Sequence, residues 1–389
     1  MKRSFYAGAV AFVIILATSH LRSTPYANYV YLADAFWHGH TWIDWPGQFI
    51  DALQYNGQHY VIEAPLPALL LMPFEAIFGL ATNQTSLAVV LGAVSIGAAW
   101  EMCERLTVSA VNTVWLCAFL LAGTDLLWCA MLGDVWFIAH VSAVCFTLLA
   151  MVELLGKKRG WLVALWAVCA AESRFSMLLA IPVYAYLLLQ QPEENAQPNL
   201  AAAIRSRMIS FGVVLAVGAG LWLAYNRARW GTFGDIGYVQ WYHEDVVGLP
   251  EGSPFRWMYL PDQLWSFFVQ FPQFSRSFPY VIPSQLGVAL TWTSPALLLA
   301  FFARGPKRWV LAMWVAAFLT AAPNFLYYVN GFAQFGMRHA LDFIPFLFVL
   351  MALAARNGLP VWSRVLIAYS VAVGLWGSWF WNVYIRSTT

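Results

Sequence analysis

Four carboxylates lie in a short part of the sequence in which polar residues give way abruptly to apolar ones. They are Asp34, Asp44, Asp51 and Glu63, and the apolar run APLPALLLMPF follows Glu63 directly. A carboxylate in such a place can act as a general base, as a metal ligand or as the partner of an arginine. Solvation alone explains any one of them, but several acids among aromatic residues and Gly-Pro breaks favour a site.

Two arginines lie within apolar parts of the chain, where a charge is costly and usually has a partner or a task. Arg174 stands in the sequence AESRFSM and Arg338 in the sequence QFGMRHALDFIP. A guanidinium can bind a phosphate at two points, so both arginines are candidates for holding a phosphate. The alternative is a structural ion pair, with Glu172 or Asp342 as the acid.

Further polar side chains are expected to face the same external cavity. Asp134 and His140, in the sequence GDVWFIAH, open an apolar run, although His140 alone fits a packing histidine equally well. Tyr60 and His243 stand in the two long polar regions and complete the predicted cavity. The triplet at 243–245 could bind a metal, but three adjacent side chains cannot all point one way. We predict no cofactor, and a divalent metal ion stays open as an alternative.

The composition shows what kind of protein must position these residues. Of the 389 residues, 61% are hydrophobic and only 10% are charged, whereas soluble domains carry about 25% charged residues. The apolar runs are continuous rather than alternating, which favours membrane-spanning helices over a β-barrel. The net charge of +2 gives no indication of nucleic acid. The five cysteines all fall in apolar runs and are typical of small core residues rather than of a disulfide or zinc framework.

Clusters of basic residues set the orientation, since Lys and Arg are enriched in cytoplasmic loops. We expect four clusters inside, the first of them before a retained N-terminal span: 2–3, 157–159, 304–308 and 356–364. If all four clusters lie inside, the chain must cross the membrane an even number of times between any two of them. This requires segment 65–80 to stay on the outer side, and run 160–190 to be two short helices that meet outside. The sequence thus predicts an all-α polytopic membrane protein of about eleven transmembrane helices, including spans at about 285–304 and 337–355.

We expect a single domain over 1–389, with two external regions at 21–83 and 227–280. In the first, Thr24 is a suitable N-cap and Gly39 a suitable stop for a juxtamembrane helix. Its apolar residues follow helical spacing, and Asn28, Tyr31, Asp34 and His38 should face water. The Tyr55-Asn56-Gly57 turn, flanked by residues that favour strands, predicts a small hairpin.

The order of these segments resembles the GT-C class of polytopic glycosyltransferases, in particular bacterial relatives of protein O-mannosyltransferases and lipid A aminoarabinose transferases, the glycosyltransferase family 39-like enzymes. The resemblance covers most of the chain, through YLADAFWHGH, YNGQHYVIEAPLPALLLMPFEAIFG, GDVWFIAH, AESRFSM, YNRARWGTFGDIGY and FGMRHALDFIPFL. It implies a GT-C-like fold and transfer of a sugar from a polyprenyl-phosphate donor at the outer leaflet.

The same resemblance points to an acid in the first external region as the base or as the group that positions the acceptor. Glu63 matches the family acid that precedes the proline-rich step. Two places depart from the family pattern: the acidic pair after the first span falls on PYAN at 25–28, and the lysine after the matched acid is Ala64. We therefore place Asp51 first as the base, followed by Asp44 and Asp34.

The predicted reaction is an inverting displacement, in which a lipid, glycan or protein acceptor hydroxyl attacks the sugar of a polyprenyl-phosphate donor. Arg174 and Arg338 would hold the donor phosphate. The protein is expected in the inner (plasma) membrane, with its active site on the periplasmic, extracytoplasmic side. The alternative is a transporter or flippase of lipid-linked sugars that uses the same cavity without chemistry, and transporters often show internal repeats that this sequence lacks.

Overall fold

A computed structural model describes residues 2–44, 47, 52–190, 200–245, 252–331 and 334–384. Among the residues predicted for the site, Asp51 lies outside the described residues.

The helices and strands follow one another from the first apolar run onward. The first part of the chain contains α1 (Lys2–Ser19), α2 (Asn28–Trp37), β1 (Leu53–Tyr55), β2 (Gln58–Tyr60), α3 (Leu66–Phe78) and α4 (Gln84–Arg105). The middle contains α5 (Ala110–Ala122), α6 (Leu126–Leu132), α7 (Val135–Leu154), α8 (Gly160–Ala171), α9 (Ile181–Leu189) and α10 (Leu200–Trp230). The last part contains α11 (Gly237–Asp245), α12 (Leu260–Phe268), β3 (Gln273–Phe274), β4 (Val281–Ile282), α13 (Leu290–Thr293), α14 (Lys307–Leu326), α15 (Ile344–Ala355) and α16 (Val361–Trp379).

The prediction of an all-α polytopic membrane protein is confirmed. Within the described residues, six helices are long and apolar enough to cross a membrane, or seven if the bent pair of α5 and α6 forms one span. Shorter apolar helices accompany them, among them α15. The regions predicted as spans at 285–304 and 337–355 are not continuous α-helices, because each contains a short 3-10 helix, at Pro295–Phe302 and Arg338–Asp342. The count of eleven spans therefore stays a prediction.

The run from 160 to 190 is two short helices, as the charged triplet in its middle predicts. Helix α8 ends at Ala171, and a 3-10 helix at Phe175–Ala180 leads into α9. The carbonyl of Glu172, in the turn between them, accepts a hydrogen bond of 2.9 Å from the backbone N–H of Leu66 at the start of α3. This bond ties the turn of 172–174 to the start of α3.

Helix α2 differs from the predicted juxtamembrane helix in where it begins and in which residues it buries. Thr24 is not its N-cap: the helix begins after Ala27, and the Thr24 hydroxyl instead bonds to the carboxylate of Asp134. Asn28 does not face water but is completely buried. The reason is packing on both sides, since α2 lies against α3 and shares a core cluster with residues of α4 and α7.

The predicted hairpin is confirmed. Strands β1 and β2 pair antiparallel, with Leu53 opposite Tyr60. At the turn, Asn56 and Gly57 have φ angles of 49° and 78°, the left-handed pair that a tight two-residue hairpin turn requires and that Asn-Gly adopts readily. The hairpin therefore fixes where the chain re-enters the apolar bundle, three residues before Glu63.

Candidate active site

A cavity of about 580 Å³ lies where the ends of several helices meet residues of the two long polar regions, 21–83 and 227–280. Five of the residues predicted for the site line it: Glu63, Asp134, His140, Arg174 and Arg338. They come from four distant parts of the sequence. The fold therefore brings together the two arginines and two of the acids, as the predicted cavity requires.

The other predicted acids lie elsewhere. Asp34, on α2, lies 3.5 Å from the imidazole of His38 one turn later. Asp44 is exposed. Neither side chain lines the cavity. Asp34 instead lies beside Glu75 of α3, against which α2 packs.

Tyr60 and His243 are also displaced from the predicted cavity. Tyr60 is buried at the end of β2, with its ring 4.9 Å from that of Trp230. His243 is exposed on α11, while Tyr238 and Trp241 of the same helix line the cavity instead. The helical repeat explains the difference, because residues three apart share a face and residue 243 falls outside it.

Arg174 is held by a carboxylate. Its Nε and Nη2 donate to Oδ1 and Oδ2 of Asp342 over 3.2 Å and 3.0 Å. Asp342 is completely buried, whereas the side chain of Arg174 keeps 19% exposure toward the cavity. A buried charge is tolerated only with a partner and further hydrogen bonds. The structural ion pair that the sequence left open is therefore formed, and Arg174 lines the cavity all the same.

Three other side chains complete the surroundings of Asp342. The hydroxyl of Ser176 donates to it over 2.7 Å, the amide of Asn324 over 3.0 Å, and Nδ1 of His140 lies 2.9 Å from Oδ1. These side chains stand on the 3-10 helix after α8, on α14 and on α7. One carboxylate thus joins three elements beneath the cavity.

Arg338 presents a second guanidinium to the cavity in an aromatic setting. Its Cζ lies 5.3 Å from the ring centre of Phe137 and 6.0 Å from that of Trp136, both at the start of α7. Cation–π contacts of this kind help to hold an arginine in place. The cavity thus contains two guanidinium groups, each of which has the geometry to bind a phosphate.

Glu63 is buried at the cavity wall, with 6% of its surface exposed. The chain before it is fixed by Arg229, whose Nη1 donates to the carbonyl of Val61 over 3.2 Å. The chain after it is fixed by the bond from Leu66 to the turn of 172–174. Burial, followed by the charge of Glu63, raises the pKa of Tyr238 well above its usual value, so this cavity tyrosine remains a neutral phenol.

Aromatic rings form much of the remaining wall, contributed by Tyr26, Trp136, Tyr238, Trp241, Tyr327 and Tyr328. Rings with polar tips can pack against a sugar face and bond to its hydroxyls. Sequence reasoning did not single out any of them, because the external regions are rich in aromatic residues throughout.

No group of three or more His, Cys, Asp or Glu side chains that could hold a metal ion occurs among residues 2–44, 47, 52–190, 200–245, 252–331 and 334–384. The predicted metal alternative at 243–245 therefore gains no support from the described part of the chain.

No protein-family model and no curated protein matches this sequence. Two solved structures do resemble the fold, both of ArnT from Cupriavidus metallidurans: one bound to undecaprenyl phosphate, with a TM-score of 0.53 and 14% identity, and one in the apo state, with a TM-score of 0.51 and 15% identity. In each comparison the match covers 89% of this chain and 58% of the ArnT chain. The chain therefore spans less than two thirds of the ArnT length, and over most of its own length it has the GT-C fold of ArnT.

Proposed function

We propose that this protein transfers a sugar from a polyprenyl-phosphate donor to an acceptor hydroxyl at the outer face of the inner membrane. The observation that carries the proposal is the combination in one cavity of two fixed guanidinium groups, a buried carboxylate and an aromatic wall. An ArnT structure with the same fold contains undecaprenyl phosphate, which is a polyprenyl phosphate.

In the proposed reaction, the acceptor oxygen forms a bond to the anomeric carbon while the bond from that carbon to the phosphate oxygen breaks. The acceptor proton passes to the carboxylate of Glu63, acting as general base. Polyprenyl phosphate leaves with the electron pair. A single displacement inverts the anomeric centre. Asp51, first in the sequence-based order of bases, stays a prediction, and Glu63 takes its place because it lines the cavity.

The two arginines act on the leaving group. Negative charge builds up on the phosphate as the glycosidic bond breaks, and fixed cations stabilise that charge more strongly in the transition state than in the ground state. Asp342 keeps the fork of Arg174 in one orientation, so little reorganisation is needed when the charge develops. In this role Asp342 is a positioning residue.

In the proposed arrangement, the lipid tail of the donor lies along the apolar bundle and its phosphate reaches the cavity. We place the site on the periplasmic side, on the basis of the basic clusters at the opposite ends of the helices.

The experiment that tests this proposal uses the purified protein in detergent with a radiolabelled polyprenyl-phosphate hexose or pentose. Membrane lipids and glycans are added as acceptors, and free polyprenyl phosphate is measured. Release that depends on the acceptor supports the transfer, and its rate should fall at least a hundredfold in Arg174→Ala. Release that is the same without acceptor, or in the variant, contradicts it.

A further inference from the structure

A second cavity, of about 290 Å³, lies beside the first at the outer ends of α1, α6 and α16. Asp134 lines both cavities. The segment of 22–26 forms the boundary between them, since the Thr24 hydroxyl bonds to the carboxylate of Asp134 and the N–H of Val135 donates to the carbonyl of Tyr26. A two-substrate reaction needs two adjoining sites, and Asp134 is where these two meet.

The polar side of the second cavity contains a guanidinium group. Arg22 and His20 line it together with Ser378 and Asn382. Asp134, at the boundary between the two cavities, is the one acidic residue among the described residues that line this cavity. A guanidinium beside an imidazole and neutral donors is suited to an anionic group such as a phosphate ester.

The backbone that presents these side chains is strained. His20 and Leu21 have φ angles of 50° and 45°, and two successive left-handed residues that are not glycine carry a real conformational cost. The start of α4 holds this turn in place. Asn83 donates to the carbonyl of Leu21 over 2.7 Å, and Thr85 to the carbonyl of Arg22 over 3.0 Å. Strain that the surroundings maintain in this way is characteristic of functional sites.

The other side of the cavity is apolar and continuous with the lipid-facing surface. Leu375 and Trp379 of α16 line it and are themselves partly exposed on the outside of the bundle, at 46% and 37%. Helix α1, on the opposite side, exposes Val10 and Val13. Helix α6 packs against both α1 and α16. A ligand here would touch lipid with one end and reach Asp134 with the other.

We propose that this second cavity is the acceptor site and that it binds the headgroup of an anionic lipid bearing a free hydroxyl, with the anion at Arg22 and the hydroxyl reaching past Asp134 toward Glu63 in the larger cavity. The assignment of this cavity as an acceptor site rests on the proposed function, whereas the binding of an anionic lipid does not. The headgroup enters from the outer leaflet between the ends of α1 and α16. The sugar donor occupies the larger cavity on the other side of Asp134.

The test measures thermal stability of the purified protein with two probes, phosphatidylglycerol and undecaprenyl phosphate, each compared with phosphatidylcholine. The wild type should be stabilised by both. Arg22→Glu, at an exposed position where the change is compatible with folding, should weaken apparent affinity for phosphatidylglycerol at least tenfold and leave that for undecaprenyl phosphate unchanged. Arg174→Ala should show the reverse pattern. Arg356→Glu, exposed at the cytoplasmic end, is the matched control and should change neither.

Two results with phosphatidylglycerol would overturn the inference. One is full stabilisation of Arg22→Glu by phosphatidylglycerol. The other is an equal loss of apparent affinity for phosphatidylglycerol in Arg356→Glu, which would show a general effect of charge. A third arm uses glycerol 3-phosphate: stabilisation by this free phosphate ester but not by phosphatidylglycerol contradicts the lipid as the source of the anion. If undecaprenyl phosphate fails to stabilise the wild type while phosphatidylglycerol does so through Arg22, the proposed function fails and the anionic site stands.

Discussion

Arg174 and Asp342 stand 168 residues apart in the sequence, yet the guanidinium donates two hydrogen bonds to the buried carboxylate, at 3.0 Å and 3.2 Å. This ion pair joins the turn after α8 to the 3-10 helix before α15. Because Arg174 also lines the larger cavity, this pair connects the stability of the bundle with the geometry of the proposed phosphate site.

Replacing Asp342 by Asn tests this connection. Asn keeps the shape but removes the negative charge and one of the two acceptor oxygens, which leaves the guanidinium of Arg174 without its counter-ion. Breaking a buried pair by removing one partner costs about 3–5 kcal/mol, so the thermal unfolding temperature should fall clearly. Affinity for undecaprenyl phosphate should also fall, since the fork of Arg174 is no longer fixed.

A double-mutant comparison serves as the control for that prediction. In Arg174→Ala with Asp342→Asn, the loss of stability should be much smaller than the sum of the two single losses. Additive losses would show that the two side chains act independently and would refute the positioning role of Asp342.

Arg338 should contribute to phosphate binding through its charge and its planar fork. In Arg338→Lys the charge stays but the two-point geometry and the ring contacts with Phe137 are lost. We expect affinity for undecaprenyl phosphate, measured by isothermal titration, to fall about tenfold in Arg338→Lys and further in Arg338→Ala. An affinity in Arg338→Ala equal to that of the wild type would remove Arg338 from the site.

Glu63 should be needed for turnover but not for folding or donor binding. General-base catalysis contributes about 10²–10⁴-fold, so the rate of acceptor-dependent polyprenyl phosphate release should fall by that order in Glu63→Gln. Undecaprenyl phosphate should bind as before. Glu244→Gln, which changes an exposed acid on α11, is the control. Full turnover in Glu63→Gln would show that another acid is the base, with Asp51 the next to test.

Stability should depend on pH through Glu172, in the turn after α8. Burial raises the pKa of this carboxyl from 4.5 to about 7, although Arg229 opposes the shift. The folded state therefore favours the protonated carboxyl. The free energy of unfolding decreases as pH rises from about 4.5 to about 7, because the buried carboxyl must then ionise. Glu172→Gln should then be more stable than the wild type at pH 8, with the difference shrinking toward pH 5. Thermal unfolding at both pH values measures it, and a difference independent of pH would contradict the account.

Local signals in the sequence are sufficient for several features of the fold. The charged triplet at 172–174 cannot lie in lipid, so the break between α8 and α9 could be predicted. Asn56 and Gly57 favour one turn type, so the hairpin could be predicted too. The orientation of Asn28 could not, because a helix with polar residues on one face appears identical whether water or α4 lies beside it.

In the candidate site too, some residues could be predicted from the sequence and others could not. Charged residues in apolar surroundings stand out, and Arg174 and Arg338 were found for that reason. The central place of Asp342 depends on contacts with α7, α14 and the turn after α8, which no local pattern encodes. The aromatic wall was missed because Tyr238 and Trp241 do not differ in type from their many aromatic neighbours.

The most direct test of the central claim follows the fate of the intact donor in proteoliposomes. A polyprenyl-phosphate sugar labelled on both the sugar and the lipid is supplied together with acceptor lipids, and both labels are traced. Transfer predicts that the sugar label moves to the acceptor with inverted configuration while the lipid label appears as free polyprenyl phosphate. Movement of the donor across the bilayer with both labels still joined would instead show a flippase and contradict the account.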